Sequence, residues 1–270
     1  MKPDAPPSFS DFTTKAAPPP RWLYATELVR GASELLFYYF SSPFLSYQTR
    51  HLKGKKAVLV LPGLANGDFS TRILRRFLRK KGYRTYAWRL GFNLGRYKEY
   101  EPLLLERLRY VYEKEKQPVT LIGWSLGGIY ARVLAHQQPQ MVESVITLAS
   151  PFLGTKAHSH ASRMYEFLSR QKQGEVDENL RRLAETPPPV PSICFYSPID
   201  GIVSPLHCFQ AETHNIEVVA SHVGMGHHPA TLWALADRLA LLEKEPEKVT
   251  EKAPIEPPFP WRFFIQKKDK

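Results

Sequence analysis

A serine between two glycines, Gly123-Trp124-Ser125-Leu126-Gly127, follows the apolar run Val119-Thr120-Leu121-Ile122 and leads into Ile129-Tyr130-Ala131-Arg132-Val133-Leu134. A strand, a sharp turn and a helix in that order hold a hydroxyl clear of a sheet edge, where a base can reach it. The flanking glycines remove side chains that would collide with the neighbouring strand and helix. The chemistry open to such a serine is nucleophilic attack on an acyl carbon. By itself the pentapeptide would recur by chance in roughly one chain in ten of this length. Its weight comes from the strand before it, the helix after it, and the acid and base that follow.

A serine hydroxyl is a poor nucleophile until a base takes its proton, and that base must be oriented by a carboxylate. Asp200, in Ser197-Pro198-Ile199-Asp200-Gly201-Ile202-Val203, is the only acid just past the apolar run Ile193 to Tyr196. Its plainer role would be to cap a turn. Three of the later histidines are candidates: His222 opens the loop after Ile216 to Ala220, and His227 and His228 stand immediately before Pro229. His222 lies two residues past the expected strand end, whereas the other two follow Gly224-Met225-Gly226 and lead into a helix, so His222 is the expected general base. The oxyanion of acyl transfer needs two backbone N–H donors. The candidates are Leu126, next to the nucleophile, and Leu64, in Leu61-Pro62-Gly63-Leu64-Ala65-Asn66-Gly67.

Positioning these residues takes a regular alternation of elements, and the chain supplies one from Lys56 onward. Strands are expected at Ala57 to Leu61, Tyr83 to Leu90, Val119 to Ile122, Val142 to Leu148, Ile193 to Tyr196 and Ile216 to Ala220. Helices are expected at Ser70 to Lys81, Leu103 to Lys116, Leu126 to Gln137 and Ala230 to Glu243, with Gly82, Pro118, Pro139 and Pro229 as punctuation. Strands separated by helices imply parallel crossovers, and parallel sheets carry their sites at the carboxyl ends of strands. The expected division is a disordered head at 1–20, an amphipathic N-terminal segment at 21–55, the α/β body at 56–245 and a charged, aromatic tail at 246–270. A long polar stretch, about 154–191, interrupts the body. It reads either as a helical cap over Ser125, with Met164, Tyr165, Phe167 and Leu168 as its apolar face, or as a solvated loop.

The 270 residues, 43% of them hydrophobic, suffice for one sizeable core. Two cysteines, Cys194 and Cys208, exclude a disulfide framework and a Cys-rich metal site, and Cys194 reads as a buried, inert thiol. His158 and His160 have no acidic or thiol company and read as exposed polar residues, so no metal or cofactor is expected. Met1 to Pro20 lacks the charged start and apolar core of a secretion signal, and Leu35 to Phe40 is far short of the ~20 residues that span a bilayer. A cytoplasmic location is the expectation. The net charge of +11 is concentrated in part on Arg72, Arg75, Arg76, Arg79, Lys80 and Lys81. No nucleic-acid motif accompanies it. Trp22, Leu23, Leu28, Val29, Leu35, Leu36, Phe37, Tyr39 and Phe40, with Arg21 and Arg30, make an aromatic-rich helix which, with the tail's Phe259, Trp261, Phe263 and Phe264, either packs on the body or docks on an anionic membrane.

Taken together, Val60-Leu61-Pro62-Gly63, Gly123-Trp124-Ser125-Leu126-Gly127-Gly128, Tyr196 to Val203 and Ser221-His222-Val223-Gly224-Met225-Gly226 give the chain a resemblance to the α/β-hydrolase fold superfamily, specifically to bacterial lipase- or esterase-like serine hydrolases. The resemblance covers about Lys56 to Glu243. It implies a doubly wound, mostly parallel sheet, a Ser125, Asp200, His222 triad in the order Ser, Asp, His, and cleavage of small-molecule acyl esters without cofactor. Pro62-Gly63 stands where many relatives have His-Gly. Leu90-Gly91-Phe92-Asn93-Leu94-Gly95 also has counterparts in similar sequences, but its residues suggest no role. Two other functions share the pattern: acyl transfer to an alcohol on the same triad, and a noncatalytic membrane-associated binding protein.

Overall fold

A computed structural model describes residues 18–153 and 178–266. The head expected at 1–20 therefore lies outside the described residues except for its last three. Most of the cap expected at 154–191 lies outside them too, including His158, His160, Met164, Tyr165, Phe167 and Leu168.

The described elements are α1 (Arg21–Gln48), β1 (Ala57–Leu61), α2 (Arg72–Lys80), β2 (Arg84–Ala87), α3 (Tyr97–Glu115), β3 (Val119–Trp124), α4 (Leu126–Gln137), β4 (Val142–Leu148), α5 (Glu178–Glu185), β5 (Ser192–Tyr196), β6 (His214–Val218), α6 (Pro229–Lys244), α7 (Pro246–Thr250) and β7 (Ile265–Gln266). The strands form one sheet in the order β2-β1-β3-β4-β5-β6-β7. Every described pair is parallel except the last, in which β7 runs antiparallel to β6. This is the α/β-hydrolase arrangement: a mostly parallel sheet wound on both faces.

The two cores follow from strand alternation, since successive side chains point to opposite faces. Val58, Val60, Ile122, Ile146 and Leu148 bury one face against α2, α6, the inner side of α1 and Trp261 of the tail. Ala57, Leu59, Leu61, Leu121 and Val145 bury the other against α3, α4 and α5. Cys194 belongs to the second core and is fully buried.

Three boundaries and one added strand depart most from the sequence reading. The second strand ends at Ala87 rather than Leu90, because the Asp68 carboxylate accepts from the N–H groups of Trp88 and Arg89 (3.0 and 3.2 Å) and draws the chain off the sheet. The third helix begins at Tyr97, six residues before Leu103, and runs through Pro102. Tyr97 and Tyr100 are buried there, against Tyr130 and Trp88 respectively, so packing outweighs the one backbone bond that proline forfeits. The strand expected at Ile216 to Ala220 is two residues earlier, His214–Val218. The tail contributes the edge strand β7, which the charge-rich sequence did not suggest.

Candidate active site

β3 delivers Ser125 at its carboxyl end with φ 52° and ψ −122°, a conformation that side chains other than glycine rarely adopt. The Ser125 N–H donates to the Leu148 carbonyl (2.8 Å), which anchors the turn to β4. A Cβ on Gly127 would collide with the carbonyl oxygens of Leu61 and Pro62, so only glycine lets α4 start this close to β1. Leu126 is the first residue of α4, and its N–H therefore has no intrahelical acceptor.

The loop after β1 lies against the same serine. A Cβ built on Gly63 would stand 3.2 Å from Ser125 Cβ, so Leu64 follows directly on a residue packed against Ser125. This loop is braced by the segment whose role the sequence did not disclose. Asn93, fully buried, donates from Nδ2 to the Pro62 carbonyl (2.9 Å) and accepts from the Ala65 N–H (2.7 Å) at its own carbonyl, while its N–H donates to the Asn66 carbonyl (2.8 Å). Its Oδ1 accepts from Gly95 N–H (3.1 Å).

Asp200 and His222 meet across the ends of β5 and β6. The His222 Nδ1–H donates to Asp200 Oδ2 at 2.6 Å, and Asp200 Oδ1 accepts from the N–H groups of Ile202 and Val203, both at 2.8 Å. Both side chains are buried. Burial by itself pushes the His222 imidazole down. The Asp200 carboxylate, through charge and hydrogen bond, and then the charge of Glu27 outweigh burial and hold the ring above its ordinary value. The other two histidines are engaged elsewhere. His227 Nε2 donates to the Gly31 carbonyl of α1 (3.0 Å). His228 Nδ1 accepts from Ala230 N–H (3.2 Å) as the cap of α6, and burial lowers its pKa to about 3.

The rigidity of the His222 loop does not come from the strand end, which lies four residues away at Val218. It comes from α1 and from bridges between loops. Glu27 Oε1 accepts from Gly201 N–H (2.6 Å) and His222 N–H (3.3 Å), and Oε2 accepts from Val223 N–H (3.2 Å). Arg30 pairs with Glu27 (2.7 Å) and donates to the Ile199 carbonyl (2.8 Å), so the two residues flanking Asp200 are both held by α1. Glu34 accepts from the N–H and Oγ–H of Ser221 (2.8 and 2.6 Å). Ser197 Oγ donates to the Ala220 carbonyl (2.6 Å), and the Trp124 indole donates to the His222 carbonyl (3.2 Å), one residue before the serine. Glu27 and Glu34 were not singled out from sequence, and Arg30 and Asn93 were named there without a role at the site. The available signal was three charges at i, i+3 and i+7 within an otherwise apolar helix, all on one face.

Residues 88–232, more than half of the chain, match the family described as the PGAP1-like alpha/beta domain. The chain belongs to that family. Solved structures similar to this PGAP1-like chain include lipase B of Aspergillus fumigatus, with 19% identity and a TM-score of 0.52, covering 68% of this chain and 52% of the lipase. Lipase BlEst2 of Bacillus licheniformis in its mature form matches at 15% identity and TM-score 0.51, covering 69% and 92%. A 2,6-dihydroxy-pseudo-oxynicotine hydrolase matches at 17% identity and TM-score 0.51, covering 73% and 63%. The PGAP1-like chain thus spans about half the length of the fungal lipase. At these identities the likeness establishes the shared α/β-hydrolase fold.

Proposed function

We propose that the protein is a serine hydrolase of carboxylic esters, acting on lipid-like or otherwise hydrophobic acyl groups through an acyl-enzyme on Ser125. The observation that carries this reading is the buried Asp200–His222 hydrogen bond, 2.6 Å long, at the same edge of the sheet as the strained Ser125. The names borne by the similar structures, lipases and a hydrolase, support it.

In the first half-reaction Ser125 Oγ attacks the acyl carbon while its proton passes to His222 Nε2, and the Nδ1–H stays bonded to Asp200. The carbonyl electron pair moves onto oxygen, where the N–H groups of Leu64 and Leu126 stabilise it. Collapse expels the alcohol, which takes the proton from Nε2. Water then repeats the sequence and releases the acid. His222 serves as general base, Asp200 holds its tautomer, and neither a metal nor a cofactor takes part.

A fluorophosphonate probe should label the protein, with the adduct mapping to Ser125, and Ser125→Ala should abolish both labelling and ester turnover. Labelling that persists in Ser125→Ala would remove the nucleophile assignment. A series of esters of increasing acyl length should show rising kcat/KM. Product analysis with an added alcohol separates water from an acceptor alcohol in the second half-reaction.

A further inference from the structure

Helix α1 carries large apolar side chains on its solvent face as well as on its buried one. Its charged interior residues, Glu27, Arg30 and Glu34, turn inward onto the loops that carry Asp200 and His222. Trp22, Val29, Leu36, Phe40 and Tyr47, spaced by seven and four residues, form one outward stripe. Val29 is 72% and Phe40 85% exposed, and no exposed position of α1 carries an acidic side chain. The stripe continues onto the tail, where exposed Phe259 and Phe263 adjoin the helix end through the Gln48 Nε2 bond to the Phe259 carbonyl (2.7 Å). At 28 residues the helix is about 42 Å long. A run of large exposed apolar side chains along that length differs from the singly scattered ones of an ordinary soluble surface and marks an interaction face.

We propose that this face is a docking surface for an anionic lipid bilayer, with α1 lying in the plane of the interface. Three features select that occupant. The stripe is rich in Trp, Tyr and Phe, and the first two suit a boundary with one apolar and one wet side. Cations stand at both of its ends: Arg21 at the start, Arg50 stacked 4.0 Å from the Tyr47 ring, and Arg262 against Phe259 and Phe263 (5.7 and 5.6 Å). They complement anionic headgroups and fit a second copy poorly, because antiparallel pairing of two stripes would bring Arg21 of one against Arg50 and Arg262 of the other, with no acid between. Finally, among the described residues no helix is long and apolar enough to cross a membrane, and the inner carboxylates of α1 are committed to the loops, so the helix lies on the bilayer rather than through it. The inference does not depend on the reaction assigned to Ser125, and binding alone tests it.

The full chain should co-sediment with phosphatidylcholine vesicles containing phosphatidylserine, and less with phosphatidylcholine alone. The double variant Leu36→Asp/Phe40→Asp should bind at least about tenfold more weakly, with circular dichroism unchanged. Raising ionic strength from 0.1 to 1 M shortens the screening length from about 10 to about 3 Å and should weaken binding while leaving a residue due to apolar insertion. Should the double variant misfold, brominated lipid gives an independent reading: it should quench the wild-type fluorescence, and Trp22→Phe should lose most of that quenching. Absence of vesicle binding by the wild type, equal binding to neutral and anionic vesicles, or undiminished binding by a folded double variant would overturn the proposal. So would a wild-type dimer that ignores vesicles and becomes a monomer on Leu36→Asp/Phe40→Asp, since the stripe would then belong to a second copy.

Discussion

On the Ser125 side of the site the sheet and the backbone do the holding, whereas on the side of Asp200 and His222 the holding is done by side chains from a helix that precedes the sheet. Ser125 is fixed by its strained turn, by the Leu148 carbonyl and by a glycine that no other residue can replace at the start of α4. The Asp200 and His222 loops are instead tied by Glu27, Arg30 and Glu34, and by the Ser197 bridge between them. The first kind of support tolerates changes in nearby side chains and fails with one added carbon. The second can be loosened by degrees, one hydrogen bond at a time, and its charges act on the imidazole as well as hold it.

The comparison can be tested in order of expected effect. On the proposed mechanism, His222→Ala should lower kcat by about 10³-fold or more, and adding it to Ser125→Ala should cost little further, since triad members act as a unit. Burst kinetics and probe labelling of each variant would check this. Activity surviving His222→Ala but lost in His227→Ala would transfer the base to His227. Gly127→Ala should destabilise the fold by about 3 kcal/mol or more through its clash with the Leu61 carbonyl, read by chemical denaturation. A small loss there would mean that the Ser125 side is not held by backbone packing.

Glu27→Ala should lower kcat by about 10- to 100-fold with KM little changed, and Glu27→Gln, which keeps an acceptor, should recover part of it. A purely structural role would not move the pH profile, but a charge acting on His222 would. The acid limb of kcat/KM for the wild type should have its midpoint above the ordinary histidine value of 6.5, and Glu27→Gln should shift it downward, because the lost negative charge favoured the imidazolium. An unshifted limb would reduce Glu27 to a brace. Asn93→Ala, which frees the loop bearing Leu64, should reduce kcat about tenfold while leaving probe binding to Ser125 detectable. The smallest effect belongs to His227→Ala, which removes one bond to α1 and should cost about 1 kcal/mol or less of stability with turnover essentially retained.

The same division explains what could be read along the chain. The elbow at Ser125 is encoded within a dozen residues: an apolar run, two glycines and a helical repeat all state it locally. Asp200 and His222 were reachable because each follows a strand closely enough for spacing to indicate them, although β6 ends at Val218 and the supposed two-residue gap to His222 is four. Glu27 was not reachable that way. Its bonds to Gly201, His222 and Val223 join residues 174, 195 and 196 apart, and no local pattern reports such contacts. The orientation of α1 was illegible for a different reason: both of its faces carry large apolar residues, so hydrophobic periodicity does not choose between them. Asn93 was hidden because its work is done through a loop carbonyl and the backbone, which leave no residue signature in the partner.

The span of the Glu27 bonds also sets an order of assembly. Contacts between residues nearly two hundred positions apart close some of the longest loops among the described residues, and such closures cannot form until late in synthesis. A growing chain forms its serine turn once β3 and α4 have emerged, yet α1 waits unlatched until the segment around residue 222 has been made. During that interval the carboxylates that will hold the His222 loop are exposed to water, and Ser125 stands in its turn without that loop fixed in place. On the proposed mechanism, synthesis thus builds in a delay between forming the serine turn and completing the site around it.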